Sequence, residues 1–278
     1  MHLSRRDFLK LIGVSISSAW VYGIGFDDIL PLSMGRLFAP THLRQFPNEH
    51  SPSIKLLWPD STHPILNIAG DWIRIQEGYI PKTAIQPMFA PTEPSPTTIE
   101  HPIWVEVVAP SVALHSYADA DAPIRFNIGH GGLLYIEHSL CNDHGQWWLR
   151  STQGWLQASC VQIINLPHGK ADFDIELIIS PQQNNIHVIY GNHTIVLEAC
   201  FPKTPIQGQT LQLCPLNSKH LWAMKLGDKT SLYGTFEHNT FSKLRTSPDH
   251  CVELSAVAAR WLYYQALRAQ NIKIELLT

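Results

Sequence analysis

Gly70-Asp71-Trp72-Ile73-Arg74, followed by Gly78-Tyr79-Ile80 and then Ala84-Ile85-Gln86-Pro87, decides the fold because it occurs twice. Its second occurrence is Gly145-Gln146-Trp147-Trp148-Leu149-Arg150, then Gly154-Trp155-Leu156 and Cys160-Val161-Gln162-Ile163, displaced by 75 to 76 residues. An offset held over three separate segments signals an internal duplication. Each copy reads as a glycine turn, an aromatic strand, a polar hairpin, a second aromatic strand and a closing turn. Alternation puts Trp72, Ile73 and Ile75 partly on opposite faces, as a small open barrel requires.

Working outward, residues 35–88 hold further short strands separated by Pro, Asp, Asn and Gly turns, an all-β pattern. The spacing predicts a first module over 35–90, a Pro/Thr linker over 91–101 with little to bury, and a second module over 102–166. A third unit is expected over 172–278. It opens with strands at 173–179, 185–190 and 193–200, the last two joined by the Gly191-Asn192 turn. Ser255 reads as the N-cap of a helix over 255–268, with Ala258, Ala259, Leu262 and Ala266 along one face. Residues 272–277 close as a strand. The expected class is mainly β: two small barrels, then a β-sandwich with one helix near its C-terminal end.

The 278 residues carry 45% apolar side chains and a formal charge of -3, which gives no reason to expect nucleic acid as a partner. Nine Trp are available for cores or for stacking; Trp104, Trp147, Trp148 and Trp155 are candidates to contact a sugar or peptide. At the start, Ser4-Arg5-Arg6-Asp7-Phe8-Leu9-Lys10 precedes an uncharged run over residues 11–26. A charged region followed by a short apolar region is an export signal, and this one resembles the twin-arginine type, which places the protein outside the cytoplasm in the cell envelope. A released protein and one anchored through residues 11–26, its only expected membrane contact, both remain open, because the run is short of the roughly 20 residues of a span. The five cysteines are Cys141, Cys160, Cys200, Cys214 and Cys251. Export permits disulfides; pairing Cys141 with Cys160 and Cys200 with Cys214 would leave Cys251 free, while buried thiols are the alternative.

The chemistry-bearing residues gather in Leu232-Tyr233-Gly234-Thr235-Phe236-Glu237-His238-Asn239-Thr240-Phe241 and Arg245-Thr246-Ser247-Pro248-Asp249-His250-Cys251-Val252-Glu253-Leu254. Cysteine acyl transfer needs a thiolate, a base within about 3 Å, an orienting group and oxyanion donors. Cys251 is the candidate nucleophile, His250 or His238 the base, and Asp249 or Glu237 the orienting group. Neighbouring side chains on extended backbone point apart, so His238 is the better placed imidazole. Asp249 and Glu253 tend to raise a thiol pKa, and the start of the following helix partly offsets them. A metal held by His238, Asp249 and His250 would need further ligands.

The Gly-x-Trp…Gly-Tyr/Trp-Ile/Leu repeats resemble the bacterial Src-homology-3-like modules that accompany cell-wall enzymes. The third unit resembles the L,D-transpeptidases, in the strand and hairpin over 175–196, Thr204-Pro205…Gly208-x-Thr210, Gly234-Thr235-Phe236-x-His238-Asn239-x-Phe241, and Cys251-Val252-x-Leu254-Ser255…Ala259-Arg260-Trp261-Leu262. That resemblance implies an exported bacterial protein acting on peptidoglycan stem peptides or wall glycan through a cysteine acyl-enzyme, without cofactor or metal. It also implies a binding role for Tyr233, Gly234, Phe236 and Asn239. The departures are chemical. Tyr233 stands where the family has the histidine of His-Gly, Asp249 where it has the histidine of Ser-His-Gly-Cys, and His250 where it has that motif's glycine, so that a Cβ is expected to limit the turn. Glu253 replaces a basic residue. Two readings follow: a transpeptidase-like enzyme with reduced or lost activity, or an inactive wall-binding or scaffolding protein that keeps the fold.

Overall fold

A computed structural model describes residues 34–238, 241 and 246–277; the expected export signal and Asn239 lie outside the described residues. The chain is mainly β. The first copy of the repeat forms β1 (Met34–Leu37), β2 (Thr41–Arg44), β3 (Ser53–Leu57), β4 (Thr62–Pro64), β5 (Asn67–Ala69), β6 (Trp72–Ile75), β7 (Gly78–Pro81) and β8 (Ile85–Pro87). These make two sheets, ordered β3-β2-β7-β6-β5 and β4-β1-β8. The second copy forms β9 (Ile103–Val107), β10 (Ser111–His115), β11 (Ile124–Gly129), β12 (Leu133–Cys141), β13 (Trp147–Ser151), β14 (Gly154–Gln157) and β15 (Val161–Ile163). Its strands make one nearly closed sheet, ordered β11-β10-β14-β13-β12-β9-β15.

The two orders are the same once β12 is matched to β4 plus β5. The first copy breaks at Pro64-Ile65-Leu66, where proline cannot continue the ladder. The second runs through with a bulge at Glu137, between Ile136 and His138. A further bulge recurs in both copies. Leu43 and Arg44 pair with Lys55 and Ser53, and Leu114 and His115 pair with Phe126 and Ile124, so Ile54 and Arg125 are the equivalent extra residues. The repeated glycines have a steric cause: a Cβ on Gly78 would lie 2.5 Å from the Arg44 carbonyl oxygen, and one on Gly154 2.7 Å from that of His115. Ile73 and Leu149, both wholly buried, fall at one position of the two cores. Trp148 is also fully buried, and Trp147 and Trp104 pack against cores, so these three indoles serve packing; Trp155 is half-buried at a cleft.

The third sheet contains β16 (Ile175–Ser180), β17 (Asn185–Tyr190), β18 (His193–Cys200), β19 (Leu211–Leu213), β20 (Leu221–Leu226), β21 (Thr230–Thr235), β22 (Cys251–Ser255) and β23 (Ile272–Leu276), with helix α1 (Ala256–Arg268) between the last two. Its order is β19-β20-β21-β22-β18-β17-β16-β23, and the pairs β21–β22 and β16–β23 are parallel. Alternation buries Ile175, Leu177 and Ile179 on β16 and Ile186 and Val188 on β17. Ser255 caps α1 as expected, its hydroxyl accepting from the Ala258 amide at 3.2 Å, and Ala259, Leu262 and Ala266 face the core. On β20 a bulge holds Trp222 at φ 52°, fully buried against Tyr263 and Tyr264 of the helix. A left-handed non-glycine residue costs about 1–2 kcal/mol, a cost the buried indole offsets.

The third sheet meets the second barrel at Glu106 of β9. Arg260 Nε of α1 lies 3.1 Å from Glu106 Oε2, Gln162 of β15 donates to the same oxygen at 3.2 Å, and the guanidinium stacks over Phe89 and Tyr264. Burial pushes the Glu106 carboxyl up to about 7 despite the arginine.

Among the described residues, which include all five cysteines, no disulfide forms, against the pairings the sequence allowed. Cys200 pairs across to Glu253 on β22, while Cys214 bonds to Ala223 beside β20. Strands spaced about 4.8 Å apart leave these two roughly 19 Å from each other, far beyond bridging reach. Cys160 lies by the Gly132 end of β12 and Cys141 at its other end, roughly 26 Å along a strand rising about 3.3 Å per residue. No helix among the described residues is long and apolar enough to cross a membrane.

Candidate functional site

Parallel pairing of β21 with β22 sets Ser231 beside Cys251, Tyr233 beside Glu253 and Thr235 beside Ser255. Cys251 is the first residue of β22, half-buried, at the exit of the Pro248-Asp249-His250 turn. The turn is closed by the Cys251 amide, which donates to the Pro248 carbonyl at 3.0 Å. His250 occupies its third position at φ 60°, the conformation that a type II turn reserves for glycine or asparagine. The expectation that a Cβ would limit this turn is therefore corrected. The turn forms, held by Ser247 Oγ donating to the Cys251 carbonyl, by the His250 carbonyl accepting from Ser231 at 2.8 Å, and by the His250 amide donating to Thr204 Oγ1 at 3.3 Å.

The side chains at the thiol differ from the expected set. The Tyr233 hydroxyl lies close enough to the Cys251 thiol to affect its titration, and it donates to Glu253 Oε1 at 3.3 Å. The other carboxylate oxygen, Oε2, lies 3.4 Å from His238 Nε2. The phenol and the imidazole thus sit on the two oxygens of Glu253, with the thiol near the phenol. Tyr233 and Glu253 are buried, and His238 is nearly so. Asp249 and His250 are exposed on the turn. Glu237 is exposed too, its amide donating to Thr235 Oγ1 at 3.2 Å.

Electrostatics hold the thiol in its protonated form. Burial pushes the Cys251 pKa up; the nearby Tyr233 hydroxyl opposes this, and the negative charges of Glu253 and Asp249 add to it. The Tyr233 phenol is driven far above its usual range by burial first and by Glu253 second, so it acts as a hydrogen-bond donor and not as a base. The Cys251 amide is engaged within the turn and the His250 amide by Thr204, whereas an oxyanion hole needs donors aimed at the place where charge develops.

Other expected binding residues serve packing. A Cβ on Gly234 would lie 2.8 Å from the Ala259 Cβ, so this glycine lets α1 close on β21. Phe236 packs against both the third sheet's core and the second barrel's core. Asn239 is outside the described residues. His220, which the sequence did not single out, stacks on the Tyr233 ring with centroids 4.6 Å apart. Its signal is local: Asn217 Oδ1 accepts from the Lys219 and His220 amides at 3.1 and 2.7 Å, an Asx turn that fixes where His220 enters β20. Burial, with Lys219 adding to it, lowers the pKa of this imidazole. His238, Asp249 and His250 do not gather: among the described residues no three His, Cys, Asp or Glu side chains group as a metal site.

No family model and no curated protein matches the chain. Among solved structures it is similar to NlpC2 from Trichomonas vaginalis, at 14% identity and a TM-score of 0.18, over 47% of this chain and 48% of that one. It is similar also to NlpC1 from the same organism, at 13% identity and a TM-score of 0.20, over 52% and 50% of the two chains. The chain thus spans about half the length of the structures it matches.

Proposed function

We propose that the protein works in the bacterial cell envelope as a peptidoglycan-binding protein, built from two Src-homology-3-like modules and an L,D-transpeptidase-like unit whose cysteine is held at rest. The observation that carries this reading is the company of Cys251. The polar group beside its thiol is the Tyr233 hydroxyl, itself tied to Glu253, where acyl transfer needs a base that removes the thiol proton. A phenol whose pKa is raised by burial and by a neighbouring carboxylate stays protonated near neutral pH and cannot take the thiol proton. Export through the twin-arginine-type start and binding of stem peptides or wall glycan belong to the same proposal.

One observation favours the second reading, a transpeptidase-like enzyme. The Asp249-His250 turn keeps the left-handed geometry that presents Cys251, at a cost of about 1–2 kcal/mol for a non-glycine residue. The two readings separate in one experiment. Purified protein is incubated with isolated sacculi and, separately, with a carbapenem between about pH 6 and 9. The resting-thiol reading expects pull-down by sacculi, unimpaired in Cys251→Ala, and no carbapenem adduct near neutral pH. A stoichiometric adduct at pH 7 that vanishes in Cys251→Ala would establish the enzyme instead, and absence of pull-down would remove the binding role.

A further inference from the structure

The second barrel carries a cleft of about 140 Å³ lined by Ser116, Arg125, Glu137, Arg150 and Trp155, among others. Sites for drug-sized ligands run to about 300–1,000 Å³, so only a small group fits here. What distinguishes the cleft is how its charges are placed. Arg125 is the extra residue of the bulge on β11 and Glu137 that of the bulge on β12. Bulges re-aim side chains that a regular ladder would place elsewhere. Arg150 stands directly across from Trp155 in the β13–β14 ladder, so guanidinium and indole share one face.

These opposite charges line one cleft without pairing. Among the described residues Arg150 and Glu137 make no ion pair and no side-chain hydrogen bond, and Arg125 makes one hydrogen bond, to the Gln153 carbonyl at 3.2 Å. Groups of opposite sign that converge yet stay apart leave space for a ligand bearing both complementary charges. The first copy supplies the control. It keeps the cross-strand pair as Arg74 and Tyr79. At the positions of Arg125 and Glu137, however, it has Ile54 and Leu66, which are 48% and 51% exposed. The duplication thus preserved the arginine–aromatic pair, and the two copies differ in the charged residues around it.

We infer that the second-barrel cleft binds a free amino-acid head group, an ammonium and a carboxylate on one carbon. The carboxylate lies between Arg125 and Arg150, the ammonium on Glu137, and the carbon chain along Trp155. Planar guanidinium groups suit carboxylates geometrically, and the indole covers apolar carbon. Resting on the wall-binding reading, the source is the unlinked side-chain end of a diamino acid in a stem peptide, which is such a zwitterion.

The test is calorimetry on the full chain with a stem tripeptide ending in meso-diaminopimelate, the same peptide amidated at its side-chain carboxyl, and free meso-diaminopimelate. The expected result is binding of the unmodified tripeptide, weakened at least tenfold by amidation, by Arg150→Ala and by Glu137→Gln, with thermal midpoints unchanged because Arg150 is exposed and Glu137→Gln keeps the size of a half-buried side chain. No binding at millimolar peptide, or affinity indifferent to both variants, overturns the inference. Free meso-diaminopimelate should bind about as tightly as the tripeptide, since it carries the same head group, and failure of the free amino acid to bind would overturn the head group as what the cleft holds. Sacculus pull-down that persists in the double variant leaves the wall-binding reading standing without this cleft. Tripeptide binding without any sacculus pull-down leaves the cleft standing and removes that reading.

Discussion

Glu106 on β9 and Glu253 on β22 are 1% and 5% exposed, and these two buried carboxylates face different company. Glu106 meets a guanidinium from another part of the fold, with Gln162 beside it and aromatic rings stacked on the cation. Glu253 meets a phenol and an imidazole next to a thiol. Buried charge is tolerated only with partners, but the partner decides the consequence. An arginine turns the carboxylate into a link between β9 and the helix. Near a thiol, the carboxylate is a negative charge that adds to burial in keeping Cys251 protonated.

The largest expected effect lies at Glu106. Its carboxyl is raised to about 7 in the fold from an ordinary 4.5. The native state therefore holds a proton that the unfolded chain has released between those values. Stability contributed by this group is complete below about pH 4.5 and is lost as pH rises through about 7, by about 3 kcal/mol in all. Glu106→Gln should flatten that fall, as read by denaturant unfolding at pH 5 and pH 8. Arg260→Ala should cost about 2–3 kcal/mol at pH 8, through lost stacking on Phe89 and Tyr264 and a carboxylate without its cation. The loss should shrink at pH 5, where the carboxyl is neutral. An equal loss at both values would show that Arg260 matters for packing alone.

At the other carboxylate the effects are smaller. His250→Gly relieves a left-handed residue and should stabilise by about 1 kcal/mol, less than the full strain because glycine also loosens the unfolded chain. A destabilised variant would mean that the His250 ring is held by its surroundings. Glu253→Gln removes one of the charges that raise the Cys251 pKa. It should speed alkylation of Cys251 a few-fold near neutral pH, and unchanged kinetics would take Glu253 out of the account.

Much of the fold was legible in the sequence because it was stated twice. The Gly78 and Gly154 positions are fixed by carbonyl oxygens of the neighbouring strand, so the motif shows where strands approach most closely. The helix was legible from Ser255 and the Ala259, Leu262 and Ala266 spacing. The parallel pairings of β21 with β22 and β16 with β23 were not, since periodicity reports a strand's faces and not its partner. The candidate site divides in the same way. That Asp249 and Glu253 raise the thiol pKa followed from sequence neighbours. The Tyr233–Glu253 bond depends on parallel register across 20 residues, and the stacking of His220 depends on a hairpin. The left-handed His250 was misjudged for an energetic reason: three hydrogen bonds around the turn outweigh a strain of about 1–2 kcal/mol.

The most direct measurement is the pH profile of Cys251 alkylation by iodoacetamide, resolved from the other four cysteines by peptide mass spectrometry. A free cysteine titrates near about 8.5. The resting-thiol account predicts a Cys251 midpoint above that value, shifted downward in Glu253→Gln. A midpoint below about pH 7 would mean a thiolate poised at neutral pH and would contradict it.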